Sequence, residues 1–303
     1  MALVTPKLGI GLGVAALIGA AAFIGLTRPS ALSPATEEAL AALPGDAEAG
    51  EAVFWAAGCA SCHAAPGARG EDRLVLAGGR RFETEFGVFL APNISTDPDH
   101  GIGGWSLAQF ATAMIEGVSP DGRHYYPAFP YTSYRLAELQ DIADLKAFLD
   151  GLPASDRAND AHSLRFPYGF RRGVGLWKRL ALEDSWAVTG DLTEEEARGR
   201  YLSEALAHCA ECHTPRDRLG RLDRSRWLAG APNPSGSGRI PGITPATLTW
   251  SPGEIAGYLA SGFTPEFDTA GGTMAAVVAS LGQLPREDLD AIAAYLARVP
   301  PVE

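Results

Sequence analysis

The chain has 303 residues, 46% hydrophobic and 20% charged, enough to bury a core and to fill about two domains of ~100–200 residues each. Its net charge of −11 argues against a general nucleic-acid binder, which needs a basic face for phosphates. Four cysteines are too few to staple a chain of this size with disulfides, and high Gly (35) and Pro (22) predict long loops between short elements.

Leu8–Leu26 is an uncharged apolar run of 19 residues. As a helix it would measure about 28 Å, close to the ~30 Å hydrocarbon core of a bilayer. Two readings follow: a retained single-pass anchor, or a cleavable signal peptide ending near Ala20–Ala22. Continuation of the run through Phe23, Ile24 and Leu26 favours the anchor. Either way the rest of the chain is expected to be exported, and on the anchor reading the protein is held in a bacterial inner membrane with its soluble part in the periplasm. Residues 1–28 are thus read as the anchor or uncleaved signal, and the Pro-, Ser- and Ala-containing stretch 29–44 as a tether.

All four cysteines fall in two matching motifs, Cys59-Ala-Ser-Cys62-His63 and Cys209-Ala-Glu-Cys212-His213. On a helix, positions i and i+3 share a face and i+4 joins it. Two thiols so placed can add to the two vinyl groups of a haem while the histidine ligates the iron, the attachment signature of c-type haem. A Cys₄ zinc site would have to close across roughly 145 residues, far beyond the usual ligand spacing, and would leave both histidines unexplained. A thioredoxin-like redox pair would need a βαβ context, and none is visible. Two covalently bound haem c groups are therefore expected, on Cys59, Cys62, Cys209 and Cys212, with His63 and His213 on iron.

The two halves match beyond these motifs. Leu76-Ala-Gly-Gly79 parallels Leu228-Ala-Gly-Ala231, Pro92-Asn-Ile-Ser95 parallels Pro241-Gly-Ile-Thr244, and Trp105-Ser106 parallels Trp250-Ser251. Ser106 and Ser251 are each placed to cap a helix. Gly117 and Gly262 follow, then helices whose buried faces align: Ile142, Leu145, Phe148 and Leu149 with Leu289, Ile292, Tyr295 and Leu296. No convincing strand pattern appears. Each unit looks like the class I cytochrome c fold, so the expected architecture is all-α: an N-terminal transmembrane helix and two tandem domains, 45–153 and 195–303, joined by a linker at 154–194. The linker stretch Arg165–Leu180 is aromatic and basic. It reads either as a docking surface or, preferably, as a bridging helix that packs Phe170, Leu176 and Trp177 between the domains.

Class I domains usually place a methionine on the far side of the iron, and its soft sulfur raises the potential. The methionines are Met1, Met114 and Met274. Met274, in the loop Ala270-Gly-Gly-Thr-Met274, is the expected sixth ligand of the second haem. The 145-residue offset from Trp105 to Trp250 maps Met274 onto Phe129, which cannot bind iron. The first haem is left with three options: His124 in the same loop, an open or water-bound iron, or Met114 or another group. His208, immediately before Cys209, has no role that the sequence states.

At GGRRFETEFGVFLAPNIS (78–95) and GGWSLAQFATAMIEGVSPDGRHYYPAFPY (103–131) the chain resembles the membrane-bound multihaem cytochrome c subunits of periplasmic alcohol, aldehyde and sugar-acid dehydrogenases. That resemblance implies electron transfer, probed against two departures: those subunits usually carry three haems, and usually Met where Phe129 stands. It implies redox donor and acceptor proteins as partners, with a dehydrogenase subunit or quinol-linked donor passing electrons to a terminal oxidase or other acceptor, and no catalysis by the chain itself. The alternative is a haem enzyme acting on peroxide, a sulfur compound or a gas at an open first haem.

Overall fold

The computed structural model describes residues 6–234, 236 and 238–302. The first five residues of the expected anchor, Met1 among them, and Glu303 lie outside the described residues. Helices in chain order are α1 (Pro6–Leu26), α2 (Pro34–Ala41), α3 (Ala47–Ala56), α4 (Cys59–His63), α5 (Leu107–Glu116), α6 (Tyr131–Tyr134), α7 (Leu139–Asp150), α8 (Gly173–Ala181), α9 (Glu194–Arg200), α10 (Ala210–His213), α11 (Pro252–Ser261), α12 (Met274–Leu281) and α13 (Arg286–Arg298). A π-helical segment, Tyr201–Leu206, continues α9.

The expectation of an all-α chain is corrected. Strands β1 (Arg81–Thr84), β2 (Gly87–Leu90) and β3 (Ser163–Leu164) form an antiparallel sheet in that order, and β4 (Ala231–Pro232) pairs with β5 (Arg239–Ile240). These strands are two to four residues long, too short for an alternating pattern to stand out from loop. The third strand of the larger sheet comes from the linker, a pairing that no local pattern records.

The expected transmembrane anchor is corrected as well: no helix among the described residues is long and apolar enough to cross a membrane. The single-pass placement in a bacterial inner membrane, with a periplasmic soluble part, therefore has no support. The end of α1 is instead docked on the chain. Arg179 Nε donates to the Leu26 carbonyl at 2.6 Å, Arg172 to those of Ile24 (3.3 Å) and the Thr27 hydroxyl (3.1 Å). Phe23 stacks on Phe170 with centroids 5.9 Å apart. The stretch expected as a tether is packed too, with Leu32 and Leu40 buried in the core.

Each half repeats one helix crossing. Asp46 caps α3 by accepting from Glu48 and Ala49 N–H, and α3 crosses α7 where Gly50 meets the Asp144 carbonyl. In the second half α9 crosses α13 where Gly199 meets the Ala291 carbonyl. A Cβ would stand 2.0 Å and 1.8 Å from those oxygens, so only glycine lets the helices approach this closely. The serines foreseen as caps open α5 and α11 with full capping boxes, Ser106–Gln109 and Ser251–Glu254. Of the foreseen helix faces, Ile142, Leu145, Leu149, Leu289, Ile292, Tyr295 and Leu296 are buried.

The linker forms the expected helix, α8, but not the expected packing: Phe170 and Leu176 are exposed. Trp177 Nε1 does reach the Leu219 carbonyl (2.8 Å) in the second half. Lys178 is buried and donates to the Glu116 and Gly117 carbonyls at the end of α5.

Candidate haem-binding sites

Both motifs sit on short helices, α4 and α10, and both present the same histidine geometry. His63 Nδ1 lies 2.8 Å from the Pro92 carbonyl, and His213 Nδ1 lies 2.8 Å from the Pro241 carbonyl. A carbonyl only accepts, so each Nδ1 carries the proton and each Nε2 keeps its lone pair. Burial holds both rings below the ordinary histidine pKa, opposed by those carbonyl contacts. Both imidazoles are therefore neutral near pH 7 with Nε2 free for a metal, as a ligating histidine requires.

The carbonyls are themselves positioned by the repeat. Gly78 N–H donates to the His63 carbonyl (2.8 Å) and Gly230 N–H to that of His213 (2.7 Å). Ile94 N–H bonds Leu76, and Ile243 N–H bonds Leu228, at 3.0 Å and 2.8 Å. Gly78 and Gly230 both have positive φ, 69° and 84°. A Cβ on Gly78 would fall 2.4 Å from the Pro92 carbonyl group, and one on Gly230 would fall 3.0 Å from the carbonyl carbon of Pro241. The doubled Leu-Ala-Gly and Pro-x-Ile segments thus form one device that aims a histidine. Their repetition was visible in sequence; their role was not, because the working atom is a main-chain oxygen.

None of the four cysteines is paired in a disulfide. Burial pushes Cys59 and Cys209 up to about 12, and raises Cys62 and Cys212 as well. Among the described residues no three His, Cys, Asp or Glu side chains gather as a metal site, so the zinc alternative finds no geometry. In the second half a cavity of about 250 Å³ is lined by Ile243, Leu248, Trp250, Ile255 and Leu296 among others, but by neither the motif cysteines nor His213. Paired cysteines outside any disulfide, next to a neutral histidine whose Nδ1 is engaged and whose Nε2 is left for iron, fit a covalently held haem.

The far-side candidates separate. Met274 is the first residue of α12, not a loop residue, and is partly buried against the core. Phe129 packs among the rings of Tyr125, Tyr131 and Tyr134. His124 is buried and turned toward α1 and α8: its Nε2 lies 3.0 Å from the Thr27 carbonyl, with Gly175 against the ring. Met114 is buried in the core on α5.

Sequence reasoning missed how the two motifs meet. Ser61 donates to the Ala276 carbonyl on α12 at 3.1 Å, and Thr132 of α6 donates to Glu211 at 2.5 Å. Each motif therefore touches the other half of the chain.

Residues 47–153 match the cytochrome c family. Over 287 residues the chain is 61% identical to the diheme cytochrome c-type protein of Cereibacter sphaeroides, covering 95% of this chain and 96% of that one. It is 37% identical to the fructose dehydrogenase cytochrome subunit of Gluconobacter japonicus, over 81% of this chain and 51% of that one. It is 31% identical to the cytochrome c subunit of the quinone alcohol dehydrogenase of Gluconobacter oxydans, over 84% of this chain and 54% of that one. The chain spans about half the length of those two dehydrogenase subunits.

Proposed function

Because the chain belongs to the cytochrome c family and carries two covalently bound haem c groups, we propose that Cys59 and Cys62 hold one and Cys209 and Cys212 the other, with His63 and His213 as iron ligands. Its activity is electron transfer. Residues 45–153 and 195–303 are read as one cytochrome c-like domain each, with 154–194 between them. Haem supplies a one-electron couple whose potential follows its axial ligands and surroundings. The protein supplies the rest: Pro92 and Pro241 fix each histidine's tautomer and aim, and Met274 would supply a soft sixth ligand to the second haem.

The observation that carries this reading is the duplicated His–Pro carbonyl contact, which leaves both Nε2 atoms free at one residue's remove from paired thiols. The donor is read as a dehydrogenase catalytic subunit, supported by the dehydrogenase cytochrome subunits among the relatives. The acidic chain, at −11, suits a basic redox partner docking at salt-sensitive rates.

A second reading, ligand chemistry at an open first haem, is favoured by two observations: His124 is engaged with Thr27, and the Met274 equivalent is Phe129. One experiment addresses both. Pyridine haemochrome assay should give two haems per chain, falling to one in Cys59→Ser/Cys62→Ser and in Cys209→Ser/Cys212→Ser. Low-temperature EPR of the oxidised protein then separates the readings. Two low-spin irons support the carrier alone, whereas a high-spin signal from half the irons, with carbon monoxide binding to the reduced form, supports chemistry at the first site. Two haems retained in either double variant would overturn the site assignment.

A further inference from the structure

His208 and Gly58 hold the same position, each immediately before the first cysteine of its motif, and both adopt left-handed backbone, with φ of 43° and 64°. Glycine takes this conformation freely; a histidine is strained there. A strained side chain persists where its surroundings hold it, and here they do. The His208 ring packs edge-on against Tyr134 of the first half, centroids 5.7 Å apart and planes at 77°. Tyr134 is buried, and its hydroxyl donates to the Ala57 carbonyl at 2.8 Å. Ala57 lies two residues before Cys59. Short routes therefore join the two haem-attachment points: from Cys209 back one residue to His208, whose ring meets the Ala57 backbone directly and also reaches Ala57 across the Tyr134 ring and its hydroxyl's bond, and on two residues to Cys59.

We propose that the His208–Tyr134 contact is a positioning bridge that sets the rate of electron exchange between the two haem sites. The inference rests on the assignment of Cys59 and Cys209 as haem-attachment residues. Glu211–Thr132 and Ser61–Ala276 also join the two halves, whereas His208 and Tyr134 link the stretches of chain just ahead of the two first cysteines.

The test uses the full, haem-loaded chain and two variants. In His208→Gly the backbone receives the residue that the first half already uses. Two haems per chain and an unfolding temperature no lower than that of the wild type are expected, while intramolecular electron exchange after pulsed reduction slows several-fold. Tyr134→Phe keeps the ring contact and loses only the bond to Ala57, and should fall between the two. If His208→Gly does not fold, His208→Asn, which tolerates left-handed backbone, replaces it with the same expectation. An exchange rate unchanged in a variant that holds both haems overturns the bridge. So does a loss of rate matched by Glu211→Ala, which would make the effect one of general loosening. A Cys209→Ser/Cys212→Ser variant that keeps both haems overturns the site assignment, and this inference with it.

Discussion

Ser61 and Glu211 stand at the same place in the two C-x-x-C-H motifs, and each bonds to the opposite half: Ser61 to α12, Glu211 to Thr132 of α6. The two halves face each other with approximate two-fold reciprocity, as an isologous dimer interface would, except that one chain supplies both sides. Glu211 also pairs with Arg216 in its own half, so its carboxylate is fixed from both directions. Glu211→Ala should destabilise the chain by about 1.5–3 kcal/mol, the range for hydrogen bonds to a charged group. Amide exchange at 131–134 should speed up while that of α13 does not. Equal protection of 131–134 in both proteins would show that the cross-half bond holds nothing.

Gly78→Ala and Gly230→Ala probe the aiming device one site at a time. Each puts a Cβ on left-handed backbone, costing on the order of 1–3 kcal/mol, and each pushes on the proline segment that orients a histidine. Gly78→Ala should alter the EPR g-values and lower the thermal stability through the first site alone, and Gly230→Ala through the second. The first should be the stronger, since its Cβ would meet the carbonyl group at 2.4 Å. Variants that disturb both irons equally would mean the glycines serve the fold and not the ligand.

Met274→Ala and His124→Ala should part company. Removing the thioether is expected to lower the potential of the second haem and to let carbon monoxide bind there. His124→Ala should leave the spin state of the first iron as it was, because its Nε2 is spent on the Thr27 carbonyl. Its cost should be one of stability, about 1–3 kcal/mol for a buried acceptor left unpaired, read as a lower denaturation midpoint. A change from low to high spin on His124→Ala would put that histidine on the iron.

What could be read beforehand was local or repeated. The C-x-x-C-H pairs, the capping serines and the buried faces of α7 and α13 each lie within a dozen residues, where spacing and side-chain chemistry suffice. The sheet was not legible, since β1 and β2 are four residues each and β3 arrives from the linker more than 70 residues later. Nor was the aim of His124: its loop position resembles a ligand's, and only the docking of Thr27 and α8 turns the ring away. The α1 run failed differently, because its length and apolar character suggested a span while the arginines that bind its last carbonyls lie 148 and 153 residues away and leave no local trace. The pairing of His208 with Tyr134 joins residues 74 positions apart and leaves no periodic trace.

Glu204 gives a pH dependence with a definite sign. It lies in the π-helical turn, buried, and its carboxylate accepts from Ala187 N–H (2.6 Å), Val188 N–H (3.2 Å) and the Tyr295 hydroxyl (2.5 Å). Burial raises its pKa, and the hydrogen bonds only partly offset that. A carboxyl raised on folding binds more protons in the native state than in the unfolded one. Its contribution is therefore most favourable at low pH and declines as pH rises from the ordinary glutamate value of ~4.3 through the raised native one. Glu204→Gln has no proton to lose, so its denaturation midpoint should lack that decline, and the difference between the two proteins should flatten above the raised value. Parallel midpoint curves from pH 4 to 8 would mean that the three donors outweigh burial and that Glu204 is charged in the fold at no cost.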